Sequence, residues 1–124
     1  MEKIALSGLL SLSLISIAWA NESHYECPSI TAIQQIGLSN DTYQESDGNY
    51  MVSQKDYYGT SHAWTFRVRN IAASSSAAAV IKAVATLPTL SGNPESVYMN
   101  GYMDCQYDNR MGYFTDAYTK YIGK

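Results

Sequence analysis

Residues 63–70 read AWTFRVRN, and the side chains along this stretch alternate between apolar and polar. Successive side chains of a β-strand point to opposite faces of the sheet. The apolar face would hold Trp64, Phe66 and Val68. The polar face would hold Thr65, Arg67 and Arg69. This stretch decides the fold class, because such alternation is typical of an antiparallel sheet that is covered on one side only.

The residues before this strand predict its hairpin partner. Residues 49–55 suit a strand, and the Gly-Thr-Ser sequence at 59–61 supplies turn residues between the two strands. Residues 38–48 collect Ser, Asn, Asp, Gly and three acidic side chains. This composition predicts a solvated connection that ends in a turn at residues 47–48.

The last third of the chain predicts two more strands. In residues 97–106, the parity predicted to face the core holds Val97, Met99, Met103 and Cys105. The parity predicted to face outward holds Tyr98, Asn100, Tyr102, Asp104 and Gln106. After a turn at residues 108–110, the Tyr, Phe and Thr content of residues 111–122 predicts the final strand.

Capping residues and apolar spacing predict two helices. Pro28 suits a first helical turn, and isoleucines at helical spacing extend the prediction over residues 28–37. The serines at residues 74–76 can cap a second helix over residues 77–87, which ends at Pro88. The apolar stripe of this helix is predicted to face the core and consists of Ala77, Ile81, Val84 and Leu87.

The predicted element order is therefore α-β-β-α-β-β. This order describes an α+β fold in which two helices pack on one face of an antiparallel sheet of about four strands. We expect residues 21–124 to form a single small domain, because this length is close to the most common domain size.

The start of the chain has the layout of a secretory signal peptide. Residues 4–17 carry no charge, and Ala18 and Ala20 place small residues at the positions that a signal peptidase reads. We therefore predict that residues 1–20 are cleaved and that the mature chain is secreted or periplasmic. The alternative is a retained membrane anchor, but serines interrupt a stretch that would need about 20 apolar residues.

Two cysteines, Cys27 and Cys105, remain after this cleavage. Exported chains with an even number of cysteines usually pair them, so one disulfide is predicted. It would link the start of the first helix to the core-facing parity of residues 97–106. The alternative is a redox-active or nucleophilic thiol, but the chain has no C-x-x-C motif.

The charge balance bears on the kinds of partner. The predicted signal peptide removes one acidic and one basic residue, so the mature chain keeps the formal net charge of −3. This charge argues against a nucleic-acid partner, which would need a concentrated basic surface. No second apolar stretch is able to span a bilayer. No motif predicts a metal site or a cofactor.

Tyrosine is unusually frequent, with 11 residues in the chain. If the predicted parities hold, one outward face combines Tyr98, Tyr102, Arg67, Arg69 and Asp104. Tyr and Arg anchor many protein interfaces, because they offer a large contact area and hydrogen bonds at modest entropic cost. We therefore expect a noncatalytic binding or inhibitor-like module that presents this face to a protein or a glycan. The simpler interpretation is that these tyrosines are exposed only because Tyr is favoured in strands.

Two alternatives to a binding module stay open. The first is a small secreted hydrolase in which His62 transfers protons and Arg67 or Arg69 stabilises developing negative charge, although no spacing demands it. The second is a secreted effector or a structural protein of the cell envelope. The sequence contains no catalytic motif that would favour the hydrolase.

Overall fold

Two helices and one antiparallel sheet of six strands make up residues 25–39 and 41–123, which are the residues that the computed structural model describes. The helices are α1 (Ile30–Ile36) and α2 (Ser76–Thr86), and a 3-10 helix (Leu87–Thr89) continues α2. The strands are β1 (Asp41–Gln44), β2 (Tyr50–Asp56), β3 (Trp64–Ile71), β4 (Val97–Met99), β5 (Tyr102–Tyr107) and β6 (Phe114–Lys120). The predicted α+β class is confirmed. The predicted signal peptide lies outside the described residues.

The sheet has the strand order β1-β2-β3-β6-β5-β4, with every neighbouring pair antiparallel. Each half of the chain contributes one helix followed by three strands in a meander, and β3 pairs with β6 at the centre. The element order is thus α-β-β-β-α-β-β-β. The predictions of about four strands and of the order α-β-β-α-β-β are wrong, because each half has one strand more than expected.

The first additional strand, β1, lies within residues 38–48, which were predicted to be a solvated connection. Among the described strands it is an edge strand that pairs only with β2, and its side chains are mostly exposed. An edge strand with no buried face needs no apolar alternation, so its sequence carries little strand signal. This explains why its composition resembles a loop.

The second additional strand arises because residues 97–106 form a tight hairpin and not one continuous strand. Asn100 and Gly101 have φ angles of 50° and 87°, and these positive values are those of a two-residue hairpin turn. The turn places Tyr98 opposite Met103 and Met99 opposite Tyr102. The predicted faces of Val97, Met99 and Tyr98 are therefore wrong, whereas Met103 and Cys105 face the core as predicted.

The helices lie on the apolar face of the sheet. Ser29 and Ser75 cap α1 and α2, and each side-chain oxygen accepts a hydrogen bond from a backbone N–H one turn along. The buried residues of α2 are Ala79, Ala83 and Thr86. The stripe predicted to face the core is wrong for Ala77, Ile81 and Val84, which are exposed, with Ile81 at 71%, whereas Leu87 is buried in the core as predicted. Small alanines let the helix approach the sheet closely and leave the larger side chains outside.

One core connects the helices to the sheet. Its members include Ile33 of α1, Ala83 of α2, Phe66 of β3 and Tyr107 of β5. The predicted disulfide between Cys27 and Cys105 is confirmed and joins the segment before α1 to β5. The Tyr107 hydroxyl also donates a hydrogen bond to the Pro28 carbonyl. None of the helices in the described ranges has the length and apolar content that crossing a bilayer requires.

Candidate functional site

The candidate site lies on the sheet face opposite the helices, which we call the outer face. Along β3, β5 and β6 every second side chain points to this face. These side chains surround a depression of about 480 Å³, within the range typical of ligand sites. Those that form its centre are Arg67, Tyr102, Asp104, Asp116 and Tyr118.

An ion pair forms the floor of the depression. Arg67 and Asp116 are cross-strand partners on β3 and β6. The Arg67 Nε donates to Asp116 Oδ1 at 2.7 Å, and Nη2 donates to Oδ2 at 3.1 Å. The Asp116 side chain is only 1% exposed, so this bidentate pair is largely desolvated. Burial alone would lower the pKa of Arg67, but the hydrogen bonds and charge of Asp116 raise it overall.

A second carboxyl group, that of Asp104, lies beside Asp116. Asp104 is on β5, is 7% exposed, and lines the same depression as Asp116. Burial, followed by the hydrogen bond and negative charge of Asp116, raises the pKa of Asp104 to about 7. The protonation state of Asp104 therefore changes near neutral pH.

Aromatic rings form the walls of the depression. The guanidinium carbon of Arg67 lies 4.6 Å from the centre of the Tyr118 ring, a cation–π geometry. The Tyr102 ring meets Tyr118 edge to face, with ring centres 5.6 Å apart and an interplanar angle of 75°. Tyr102 is 46% exposed, so much of this side chain remains open to solvent.

A second ion pair borders the depression. Arg69 Nη2 donates to Glu45 Oε2 at 2.7 Å, and the guanidinium carbon lies 6.0 Å from the centre of the Phe114 ring. The Nε–H of Arg69 is buried and has no hydrogen-bond acceptor within the described part of the chain. Both arginines of the outer face thus have a carboxylate partner of their own.

The structure brings four of the five predicted binding residues onto the outer face. Arg67, Arg69, Tyr102 and Asp104 all line the depression. Tyr98 lies on the opposite face, where the centre of its ring is 5.2 Å from the centre of the Tyr121 ring. The hairpin turn that the sequence analysis missed accounts for this difference.

His62 makes its contacts away from the outer face. Its ring stacks on Tyr25 with centres 4.1 Å apart, and Nδ1 lies 3.3 Å from the Ser61 hydroxyl oxygen. The guanidinium groups of Arg67 and Arg69 contact other partners. The structure therefore does not assemble the His62–arginine arrangement of the hydrolase hypothesis. In the described ranges, no three Cys, His or acidic side chains cluster in a way that would hold a metal ion.

Strand β6 contributes three residues to the site that were not predicted as members, Phe114, Asp116 and Tyr118. They alternate along a segment that was predicted to be a strand, and the same period of two that sorted residues 63–70 would have placed them on one face. What the sequence does not contain is the pairing of β6 with β3, which sets Asp116 opposite Arg67.

Comparison of this chain with models of protein families, with curated proteins and with solved structures finds no match. The function therefore has to be inferred from the chemistry of the outer face.

Proposed function

We propose that this protein is an exported, noncatalytic binding or inhibitor-like module that takes a protein partner on its outer face. The observation that carries the proposal is the depression at the centre of that face. Its floor is the Arg67–Asp116 pair, in which the Asp116 carboxylate is buried, and its wall includes the half-exposed Tyr102. A depression lined by aromatic rings and a few fixed polar groups is the usual form of a binding site.

The rigidity of these side chains supports a binding role. Holding a long side chain in one rotamer on association costs about 0.5–1.5 kcal/mol. Arg67 is already fixed by Asp116 and Tyr118, so little of this cost remains when a partner binds. Tyr and Arg are also the residue types enriched among interface anchors.

The border of the depression favours a protein over a glycan. Val97 and Met99 lie on the same face as Tyr102 and are about half exposed. Exposed apolar side chains next to an aromatic anchor match the core of a protein interface, whereas a glycan would be met mainly by hydrogen-bonding groups. Binding of a glycan is the competing outcome of the experiment below.

The proposed location is the periplasm or the extracellular medium. The Cys27–Cys105 disulfide is compatible with it, because disulfides persist in oxidising compartments. The signal peptide predicted over residues 1–20 is consistent with the same route. The location remains part of this proposal.

The test uses two tyrosines of one hairpin that lie on opposite faces of the sheet. The oxidised protein, a Tyr102→Ala variant and a Tyr98→Ala variant serve as baits in the native periplasmic or extracellular fraction, and affinity for any captured partner is then measured by calorimetry. We expect Tyr102→Ala to weaken binding by more than about 1 kcal/mol. Tyr98→Ala should leave the affinity unchanged. Equal effects of the two variants, or capture of glycans alone, would refute the proposal.

A further inference from the structure

We infer that the depression on the outer face is a receptor for one basic side chain, an arginine or a lysine of the protein partner, with the Asp104 carboxyl as its counter-ion. This inference rests on the proposed function and specifies the chemistry of the contact.

The distribution of charge within the depression carries the inference. Arg67 is paired with Asp116, and Arg69 is paired with Glu45. Among the described residues, no cation forms an ion pair with Asp104, although this side chain is more than nine-tenths buried and lines the depression. A buried carboxylate without its own cation is costly, and an incoming cation would remove that cost.

The aromatic lining suits the same ligand. Arg67 already occupies a position over the Tyr118 ring. The Tyr102 ring touches Tyr118 by edge-to-face contact and remains half exposed beside Asp104. A carboxylate next to an accessible aromatic ring binds a guanidinium or an ammonium group through charge and cation–π attraction together.

The two arginines that line the depression, Arg67 and Arg69, are neutralised by Asp116 and Glu45, so the unpaired charged groups around Asp104 are acidic. From β6 it faces Asp116 and Tyr118, from β3 it faces Arg67, and Tyr102 is its neighbour on β5. The segment before β4 adds Glu95, which lines a shallow depression together with Asp104. Lys120, the cross-strand partner of Tyr102, does not line either depression. The chain as a whole has a net charge of −3, which complements a basic partner.

Such a contact would depend on pH near neutrality. The pKa of Asp104 is raised to about 7 by burial and by Asp116, so the carboxyl is mostly protonated at pH 5.5 and mostly ionised at pH 8.5. Only the ionised form attracts a cation. Binding would therefore strengthen as the pH rises and would release a proton from Asp104 when it occurs near pH 7.

The probe is the peptide acetyl-Gly-Arg-Gly-amide, and its control carries citrulline, a neutral isostere of arginine. Binding to the oxidised protein is followed by NMR through the amide signals of β5. We expect the arginine peptide to bind about 30-fold more tightly at pH 8.5 than at pH 5.5, because a carboxyl group with a pKa of about 7 is about 3% ionised at pH 5.5 and about 97% ionised at pH 8.5. The citrulline peptide should show no such change. Equal binding of the two peptides at pH 8.5 would overturn the inference.

Two variants separate the charge of Asp104 from its shape. Asp104→Asn keeps the side-chain volume and should abolish the preference for arginine over citrulline. Asp41→Asn is the matched control, because Asp41 is exposed on the edge strand β1 and is not part of the depression. It should leave the preference intact. A preference that survives in Asp104→Asn, with the fold unchanged by NMR, would contradict the assignment.

The failure of this inference is distinguishable from the failure of the proposed function. A captured partner that requires Tyr102 but binds equally at both pH values would refute the basic side-chain receptor and leave the binding face in place. Selective arginine-peptide binding without any partner sensitive to Tyr102→Ala would refute the proposed function alone.

Discussion

Asp116 combines almost complete burial with a position on the uncovered face of the sheet. The carboxylate is stabilised in this position because Arg67 donates a hydrogen bond to each of its oxygens. The same hydrogen bonds align the Arg67 guanidinium over Tyr118, so the pair organises the floor of the depression. The Arg67–Asp116 pair thus holds the neighbouring side chains in position, and its contribution to the stability of the protein can be measured.

Removing one partner of this pair should lower the free energy of unfolding more than removing both partners. We expect Asp116→Ala to lower the free energy of unfolding by about 2–3 kcal/mol, because Arg67 loses its counter-ion in a partly desolvated site. Urea unfolding of Asp116→Ala, Arg67→Ala and the double variant would measure the coupling. Single costs that simply add in the double variant would show that the pair is not energetically linked.

Asp104 should make stability depend on pH in the direction opposite to an ordinary salt-bridged carboxylate. Its pKa is near 4 when unfolded and about 7 when folded. The folded state therefore binds an additional proton between these values, and stability falls as the pH rises through this window. We expect Asp104→Asn to gain about 1 kcal/mol or more over the wild type between pH 4 and pH 8. Thermal melts of both proteins across this range measure the gain, and a constant difference would contradict it.

At the scale of elements, the β4–β5 hairpin decides which side chains reach the outer face. Its turn requires left-handed backbone at Asn100 and Gly101. Asparagine tolerates this conformation and glycine favours it, whereas other residues are strained by about 1–2 kcal/mol. The register that puts Met99 beside Tyr102 and sends Tyr98 to the other face depends on this turn.

Gly101→Ala should therefore destabilise the protein by about 1 kcal/mol. A Cβ added at this position would meet no atom within 4 Å, so the loss would come from the φ angle alone. Asn100→Gly is the control and should change the unfolding free energy by only a few tenths of a kcal/mol. Chemical denaturation would compare the two, and an unaffected Gly101→Ala variant would argue against the turn.

The elements also show what the sequence can and cannot predict. Strong alternation predicted β3, the spacing of isoleucines predicted α1, and capping serines predicted α2, because these signals are local. The edge strand β1 was not predicted, because it buries no apolar face. Reading residues 97–106 with one parity failed at Asn100-Gly101, where the chain reverses and the parity restarts. The Asn-Gly pair is itself a strong hairpin signal in the sequence.

At the scale of the whole molecule, the pairing of β3 with β6 creates the site. It joins the two α-β-β-β halves and sets Arg67 of one half against Asp116 of the other. Parity alone placed Arg67, Arg69, Tyr102 and Asp104 on one face, but only the strand order brings them around one depression. Long-range pairing has no local signature, which is why the contact between Arg67 and Asp116 was not predicted.

The molecule has a second exposed surface that competes with the outer face as a binding site. On α2, Ile81 and Val84 are exposed, and the helix contains no acidic residue. This surface offers apolar area without the fixed polar groups that give specificity. A partner that docked on α2 would cover the helix and leave the depression open.

The most direct measurement is therefore an NMR map of the complex with the captured partner, which compares the side-chain signals of Tyr102 and Met99 with those of Ile81 and Val84. We predict large changes for Tyr102 and Met99 and none for the α2 methyl groups. Changes confined to Ile81 and Val84 would contradict the central claim that the outer face is the binding surface.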